Sequence, residues 1–339
     1  MCLIKLKFTF ITTLISNLMI LQGRLPKMTG IVLTLLLLNS CASYNYSSFS
    51  SQLRHSNCNQ QNVYNYHASD LPIPLHQLKI DTILSSKISK KSLNIANAIG
   101  ILDQLTQYTH AKNSVKTASV EHKLDMMSLR LDIFQKINNA SLIVSAVSSE
   151  LDCEEERTSQ IANFLEGKQS DLESKLTISA IVIGASGAIA TGGTISNERV
   201  SNTIGIGTGI AEASIGLFML FNKRKIEFYH ERNALRDIWF GSETSANFPP
   251  FIWYYLNYAD PNEADTKSVR KQIIEKWKNF GQIDEEDEEL VLDKLYFGKG
   301  GRYKAEELNN RADMYDQVES HINLLKQELM ALSLEIEKI

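Results

Sequence analysis

LTISAIVIGASGAIATGGTISNERVSNTIGIGTGIAEASIGLFMLF, residues 176–221, decides how the rest of the chain is read. It holds two apolar segments, Leu176 to Ile195 and Thr203 to Phe221, joined by the polar link Ser196-Asn197-Glu198-Arg199. Small residues recur at every fourth position: Ala180, Gly184, Ala188 and Gly192 in the first segment, then Gly205, Gly209 and Ala213 in the second. That spacing predicts a smooth stripe on which two helix backbones approach closely. The stretch therefore reads as a tightly packed helical hairpin. Each arm is about 20 residues, enough to cross a hydrocarbon core of about 30 Å. Glu212 opposes simple insertion. A carboxylate at mid-membrane costs about 2.5–3.5 kcal/mol on insertion scales and usually faces a bundle interior or a pore.

Helical patterns lead into the hairpin and out of it. Ile80, Ile83, Leu84, Ile88, Ile95, Ile99, Leu102 and Leu105 mark an amphipathic stretch to about Tyr108. Leu124, Met127, Leu131, Phe134 and Ile137 step by three and four, and Ala140, Ile143, Val147 and Leu151 continue the stripe. Past Glu154-Glu155-Glu156, read as a solvated face, it resumes at Ile161, Leu165, Leu172 and Leu176. No proline occurs between Val115 and Asn197, so one helix from Val115 to Leu176 would be on the order of 90 Å long at 1.5 Å per residue. Such a rod cannot bury its stripe alone and requires partner helices. After the hairpin the helix is expected to run on through Lys223-Arg224-Lys225 to about Ile238, ended by Gly241 and Pro249-Pro250. Phe248, Phe251, Trp253, Tyr254, Tyr255 and Tyr258 form an aromatic cluster, read as core. Asp260-Pro261 fits a helix start, with Val269, Ile273, Trp277 and Phe280 following and Gly281 as the stop. The acidic stretch Asp284 to Glu289 leads into Leu290, Leu292 and Leu295, and Gly298-Lys299-Gly300-Gly301 reads as a flexible break.

The last segment is a heptad. Leu308, Tyr315, Ile322, Leu329 and Ile336 fall every seven residues, and Val318, Leu325, Leu332 and Ile339 fill the alternate seam with Arg311 the exception. Its partner is either the Val115 to Leu176 helix or a second subunit. The expected fold class is all-α: an elongated helical bundle or coiled coil with a central apolar, glycine-rich hairpin and no strand. The expected organisation is a signal peptide over 1–40 and a lipid anchor and polar tether over 41–79. A long-helix bundle over 80–240 includes the hairpin 176–221. A small aromatic-rich helical segment over 241–302 and a coiled-coil helix over 303–339 complete it.

Net charge is −4, and residues 1–40 carry Lys5, Lys7, Arg24 and Lys27 with no acid. Without those four bases, 31 basic and 39 acidic side chains remain, a poor balance for binding nucleic acid. Arg24 and Lys27 precede the apolar run Ile31 to Leu38, too short to span a bilayer but suited to an export signal. A second signal-like run, Phe8 to Leu21, stands upstream, and a start at Met19 would leave one compact signal. The ending Leu38-Asn39-Ser40-Cys41 resembles the lipobox of bacterial lipoproteins. That resemblance implies cleavage before Cys41 and acylation of its thiol. With Ala rather than Asp at position 42, it also implies sorting to an outer membrane, the body facing periplasm or cell surface. The remaining cysteines, Cys58 and Cys153, can pair in an oxidising envelope or stay as two thiols.

No His-Glu-x-x-His, paired Cys-x-x-Cys, phosphate-binding glycine loop or Gly-x-Ser-x-Gly elbow occurs. Glu227, His230 and Glu231 form a single Glu-x-x-His unit, whereas di-metal bundles need two plus further carboxylates. The expectation is therefore a protein with no catalytic residues, metal or cofactor. The hairpin is where function is expected. Inserting it during export would leave Arg199 as the one inward base and Lys175 and Lys223-Arg224-Lys225 outside, against the positive-inside tendency. The hairpin is thus either buried by protein or enters a membrane later, from the envelope side. The latter layout, over about Val115 to Ile238, resembles α-helical pore-forming toxins in architecture. The expected function is a non-enzymatic envelope lipoprotein using its hairpin for membrane contact or self-association. The alternatives are a pore-forming protein and one that captures another envelope protein.

Overall fold

The computed structural model describes Cys58 and residues 64–113, 119–193, 197–230, 232–263, 266–283 and 292–339. The signal, Cys41, the tether before Cys58, Ser196, Glu231 and the acidic stretch Asp284 to Glu289 lie outside the described residues. The described part is all-α apart from one short ribbon. Ten helices occur among the described residues: α1 Thr82–Lys87, α2 Lys90–Ala98, α3 Leu102–Asn113, α4 Val120–Gly193, α5 Glu198–Phe221, α6 Ala234–Phe240, α7 Pro250–Asn257, α8 Val269–Asn279, α9 Leu292–Tyr296 and α10 Ala305–Lys338.

The amphipathic stretch before residue 109 is three helices rather than one. Asp81 caps α1 by accepting from Ile83 N and Leu84 N at 2.9 Å, and Ser89 caps α2 by accepting from Ser92 N. Each cap satisfies donors that a continuing helix would have paired internally. Gly100, at φ +67°, turns the chain into α3. Asp260-Pro261 does not start α8; Ser268 caps it instead, accepting from Lys271 N.

α4 has 74 residues, about 110 Å at 1.5 Å per residue. α10 lies antiparallel along its middle: Ser148 Oγ donates to Glu319 at 2.8 Å, and Asn309 Nδ2 donates to Glu166 at 2.7 Å. The heptad side chains of α10, from Leu308 through Ile322 to Ile336, are buried there. On α4 the buried face is Ile133, Ile137, Ala140, Val144, Val147, Leu151, Ile161 and Leu165. The expected stripe is therefore rotated at its start. Leu124, Met127 and Leu131 are exposed, because α3 covers this end of α4 on the neighbouring face, along His122, Met126, Leu129 and Ile133, where His122 Nε2 lies 3.2 Å from Ala111 O. Glu154 corrects another expectation. It is buried, with its carboxylate 2.6 Å from the Arg157 guanidinium.

The structure joins Cys58 to Cys153 on α4 in a disulfide, with Cα atoms 5.4 Å apart. The following strap crosses the loop before α7. Tyr64 N donates to Ala246 O at 3.1 Å, and the Tyr66 hydroxyl donates to Phe248 O at 3.2 Å. Phe248, Trp253 and Tyr254 are buried beneath, Phe248 and Trp253 stacked with centroids 5.8 Å apart.

The helix does not run on past the hairpin. α5 stops at Phe221, and Ile226–Tyr229 (β1) pairs antiparallel with Gly300–Tyr303 (β2), Ile226 opposite Tyr303. Ile226 and Phe228 point inward and Glu227 and Tyr229 outward, the period of two that a helical reading of so short a run conceals. Gly300 is thus a strand residue. Its φ is +90°, and a Cβ there would overlap the Phe228 carbonyl oxygen.

A polar centre closes the junction of ribbon, α4 and α10. Arg311, the heptad exception, is fully buried and donates to Tyr296 O at 2.7 Å, Tyr315 Oη at 3.2 Å and Asn233 Oδ1 at 3.3 Å. Arg157 lies 4.5 Å over the Phe228 ring. His230 Nε2 is 3.2 Å from Tyr303 Oη. Burial, then the Arg311 and Arg157 charges, pull His230 down to about 2. Burial pushes Glu150 up to about 6, against the pull of Arg232 at 3.1 Å.

These two groups set opposite pH slopes. With its folded pKa depressed, His230 costs stability as pH falls below the unfolded value near 6.5, by about 1.4 kcal/mol per unit. With its folded pKa raised, Glu150 gains stability as pH falls from about 6 to its unfolded value of 4.5, by less than the full shift implies because water screens this partly exposed carboxylate. Its gain offsets part of the His230 loss down to pH 4.5, with unopposed loss below it. In urea titrations, His230→Gln should remove about 3 kcal/mol of the wild-type loss between pH 7 and pH 4. Parallel curves for the two proteins would refute the assignment.

Candidate functional site

The hairpin is built by the last turns of α4 and all of α5. Asn197 caps α5, its side chain accepting from Val200 N. Side chains meet in antiparallel register: Thr177 Oγ1 lies 3.9 Å from Met219 Sδ, Gly184 faces Glu212, Gly187 faces Thr208, and Ser201 Oγ lies 3.5 Å from Thr191 O. At the base, Gln169 Oε1 accepts from Arg224 N at 3.0 Å.

The seam differs from the expected stripe. The covered positions on α4 are Leu176, Ala180, Ile183, Gly184, Gly187 and Thr191, and on α5 Ser201, Ile204, Thr208, Ala211, Ile215 and Met219. Apart from the adjacent pair Ile183 and Gly184, they advance by a mixture of threes and fours. A strict step of four advances about 400°, so such a stripe drifts around a helix with 3.6 residues per turn. Ala180 and Gly184 are accordingly on the seam, and a Cβ on Gly205 would stand 3.9 Å from Thr191 Cγ2. Ala188, Gly192, Gly209 and Ala213 are exposed, and nothing lies within 4 Å of a Cβ built on Gly192 or Gly209.

Gly187, absent from the expected set, is the one fully buried position among the described residues of the hairpin and sits against Thr208. A Cβ there would lie 2.8 Å from Thr208 Oγ1 and 2.9 Å from Thr208 Cβ. The alternation on α5 from Ser201 to Met219 would have revealed its partner face in the sequence. Glu212 seats its carboxylate over Gly184, where a Cβ would overlap Oε1 and lie 3.2 Å from Cδ.

Large apolar side chains point outward instead. Ile178, Ile181, Val182, Ile189, Val200, Ile206, Ile210, Leu217, Phe218, Leu220 and Phe221 are all exposed, Ile189 by 77% and Phe221 by 80%. The most apolar windows of the two arms have mean hydropathies of 1.6 and 1.7, and only 6% and 0% of those windows are buried. The core helix of a water-soluble bundle shows the reverse, large side chains inside and polar ones outside.

The other candidates do not converge. His230 is buried in the polar centre while Glu227 points outward from the same strand. Among the described residues no group of three or more His, Cys, Asp or Glu side chains could hold a metal ion. Of the aromatic cluster, Phe248, Trp253 and Tyr254 are buried in the core, and Phe251, Tyr255 and Tyr258 are half-buried. No protein-family profile matches the chain, and no curated protein or solved structure matches it.

The seam predicts different tolerance at two glycines. In a chain carrying Thr177→Cys and Met219→Cys, oxidation should cross-link the arms. Gly187→Leu should abolish that cross-link, because the opposed Thr208 is β-branched and cannot yield. Gly209→Leu should leave it intact. Equal loss in both would mean that the arms pack in another register.

Proposed function

We propose that this protein is a non-enzymatic bacterial envelope lipoprotein, anchored through acylated Cys41 in the outer membrane, whose α4–α5 hairpin enters a lipid bilayer. The observation that carries the reading is the inverted hairpin. Eleven large apolar side chains face outward around a seam of Gly184, Gly187, Thr191, Ser201 and Thr208. Burying each is worth about 1.5–3 kcal/mol, so their transfer to hydrocarbon is on the order of 20 kcal/mol. Against that, Glu212 costs about 3 kcal/mol. Each apolar arm, Leu176 to Gly193 and Thr203 to Phe221, is about 27–29 Å long, close to a core of about 30 Å. In lipid, helices associate through close small-residue contact, the kind this seam makes.

Two further observations support the address. The Cys58–Cys153 disulfide belongs in an oxidising compartment. The bases Lys175 and Lys223-Arg224-Lys225 flank the apolar arms on the side of the folded body, so insertion from the envelope side keeps them in water.

Cell fractionation tests both attachments. Cys41→Ala alone and deletion of residues 176–221 alone should each leave the protein with membranes, and the combination should release it. Release by Cys41→Ala alone would remove the hairpin from the reading. Retention of the double variant would remove both attachments. On vesicles, Ile206→Ser with Ile210→Ser should cut binding of the purified chain about a hundredfold, since together they withdraw about 3 kcal/mol of apolar transfer.

A further inference from the structure

We infer that Lys175, Lys223, Arg224 and Lys225 form a basic collar at the root of the hairpin that binds the phosphates of anionic phospholipids, so that the hairpin enters anionic bilayers in preference to neutral ones. The inference deepens the membrane-insertion reading by naming the lipid chemistry, and it rests on that reading.

Both arms contribute to the collar. On α4 the first charge outward from Leu176 is Lys175, the adjacent residue. α5 ends at Phe221, and only Asn222 separates it from Lys223-Arg224-Lys225. Gln169 Oε1 accepts from Arg224 N at 3.0 Å, which ties this segment to α4. Gln169 lies seven residues outward from Leu176, about 10 Å along the helix. With Leu176 at the edge of the hydrocarbon, the headgroups fill about the first 5–8 Å of that distance. Lys175 stands within this layer, and the long side chains of 223–225 reach back to it.

The charges there are available and unbalanced. Lys175, Lys223 and Lys225 are exposed and Arg224 is half-buried. Among the described residues no carboxylate pairs with Lys175, Arg224 or Lys225, and Lys223 reaches Glu306 only at 4.0 Å, with both side chains exposed. Over 171–175 and 222–225 the bases outnumber the acids, Asp171 and Glu173, by four to two. Glu173 already accepts from Gln169 Nε2 at 2.7 Å. Glu227, next along the chain, stands opposite Arg302 in the ribbon. This local excess of base occurs on a chain in which acids outnumber bases 39 to 35. The tip differs, since Glu198 and Arg199 there balance. Each base beside an anionic surface gains about fivefold in binding, and zwitterionic lipid supplies no such field.

The test uses the full acylated chain with an environment-sensitive dye on Ile210→Cys, an exposed position of α5, so that the signal reports the hairpin and not the lipid anchor. Vesicles are phosphatidylcholine alone or mixed with an equal amount of phosphatidylglycerol. The dye should shift at about tenfold or more lower lipid concentration in the anionic vesicles. Molar salt should abolish that preference, since it screens charges beyond about 3 Å. Lys223→Gln, Arg224→Gln and Lys225→Gln together should reduce it to about twofold or less while leaving entry into phosphatidylcholine unchanged. Lys79→Gln, Lys87→Gln and Lys123→Gln together remove as much charge from exposed sites away from the root, and should keep it. No preference in wild type, a preference retained without the three collar bases, or equal loss in both triple variants would overturn the collar and leave the membrane-insertion reading standing. A dye that shifts in neither vesicle would overturn both.

Discussion

Two kinds of contact divide α4 along its length, and the rest of the fold depends on that division. Against α10 the helix buries Ile133, Val144, Leu151 and Ile161, side chains that water rejects. Against α5 it offers Gly184, Gly187 and Thr191, which give close backbone approach but little apolar burial. The first contact is driven by the hydrophobic effect. The second gains mainly from dispersion and shape, terms that survive in a solvent as apolar as the side chains themselves. A single uninterrupted helix thus passes from a bundle with its large apolar side chains inside into a hairpin with them outside, with no break at which the two parts could uncouple.

The root of the hairpin explains why an arginine stands in the α10 heptad. Asn233 Oδ1 and Tyr315 Oη meet where α6, α9 and α10 converge, and Arg311 serves both together with Tyr296 O, which also accepts from Asn233 Nδ2. Removing one partner of a buried charged network costs about 3–5 kcal/mol, because the remaining groups stay desolvated. An apolar residue at 311 would complete the heptad and take the Arg311 donors from Asn233 Oδ1 and Tyr315 Oη, leaving Tyr296 O only its bond from Asn233 Nδ2. The polar centre also fixes β1, and β1 fixes where α5 leaves the body.

Much of this was legible in the sequence. The all-α class, the helical hairpin and the α10 heptad follow from apolar spacing, since long periodic segments carry the strongest signal. The side chains that meet within the hairpin were less legible. Reading every fourth residue gathers Ala180 and Gly184 correctly but drifts off the contact by Ala188 and Gly192. It also misses Gly187, whose importance depends on Thr208 of the other arm. The ribbon escaped notice because Ile226–Tyr229 is four residues long and finds its partner in a glycine-rich segment seventy residues on, which itself reads as a break. Leu124 and Met127 misled for a related reason. Two apolar stripes run along the start of α4, and periodicity does not say which of them the partner helix α3 will cover; the structure covers Met126 and Leu129.

The outward apolar surface and the inward polar seam constrain one another. If the hairpin were a water-soluble element awaiting a protein partner, its seam would gain most from large side chains, since water penalises every exposed isoleucine whichever way it faces. Small residues there would then give up stability for nothing. In lipid the balance reverses, because outward isoleucines are solvated and the seam is free to select close contact. Glu212 fits neither surface alone. Its carboxylate needs the notch at Gly184 while the hairpin is folded, and water or a proton once it is immersed.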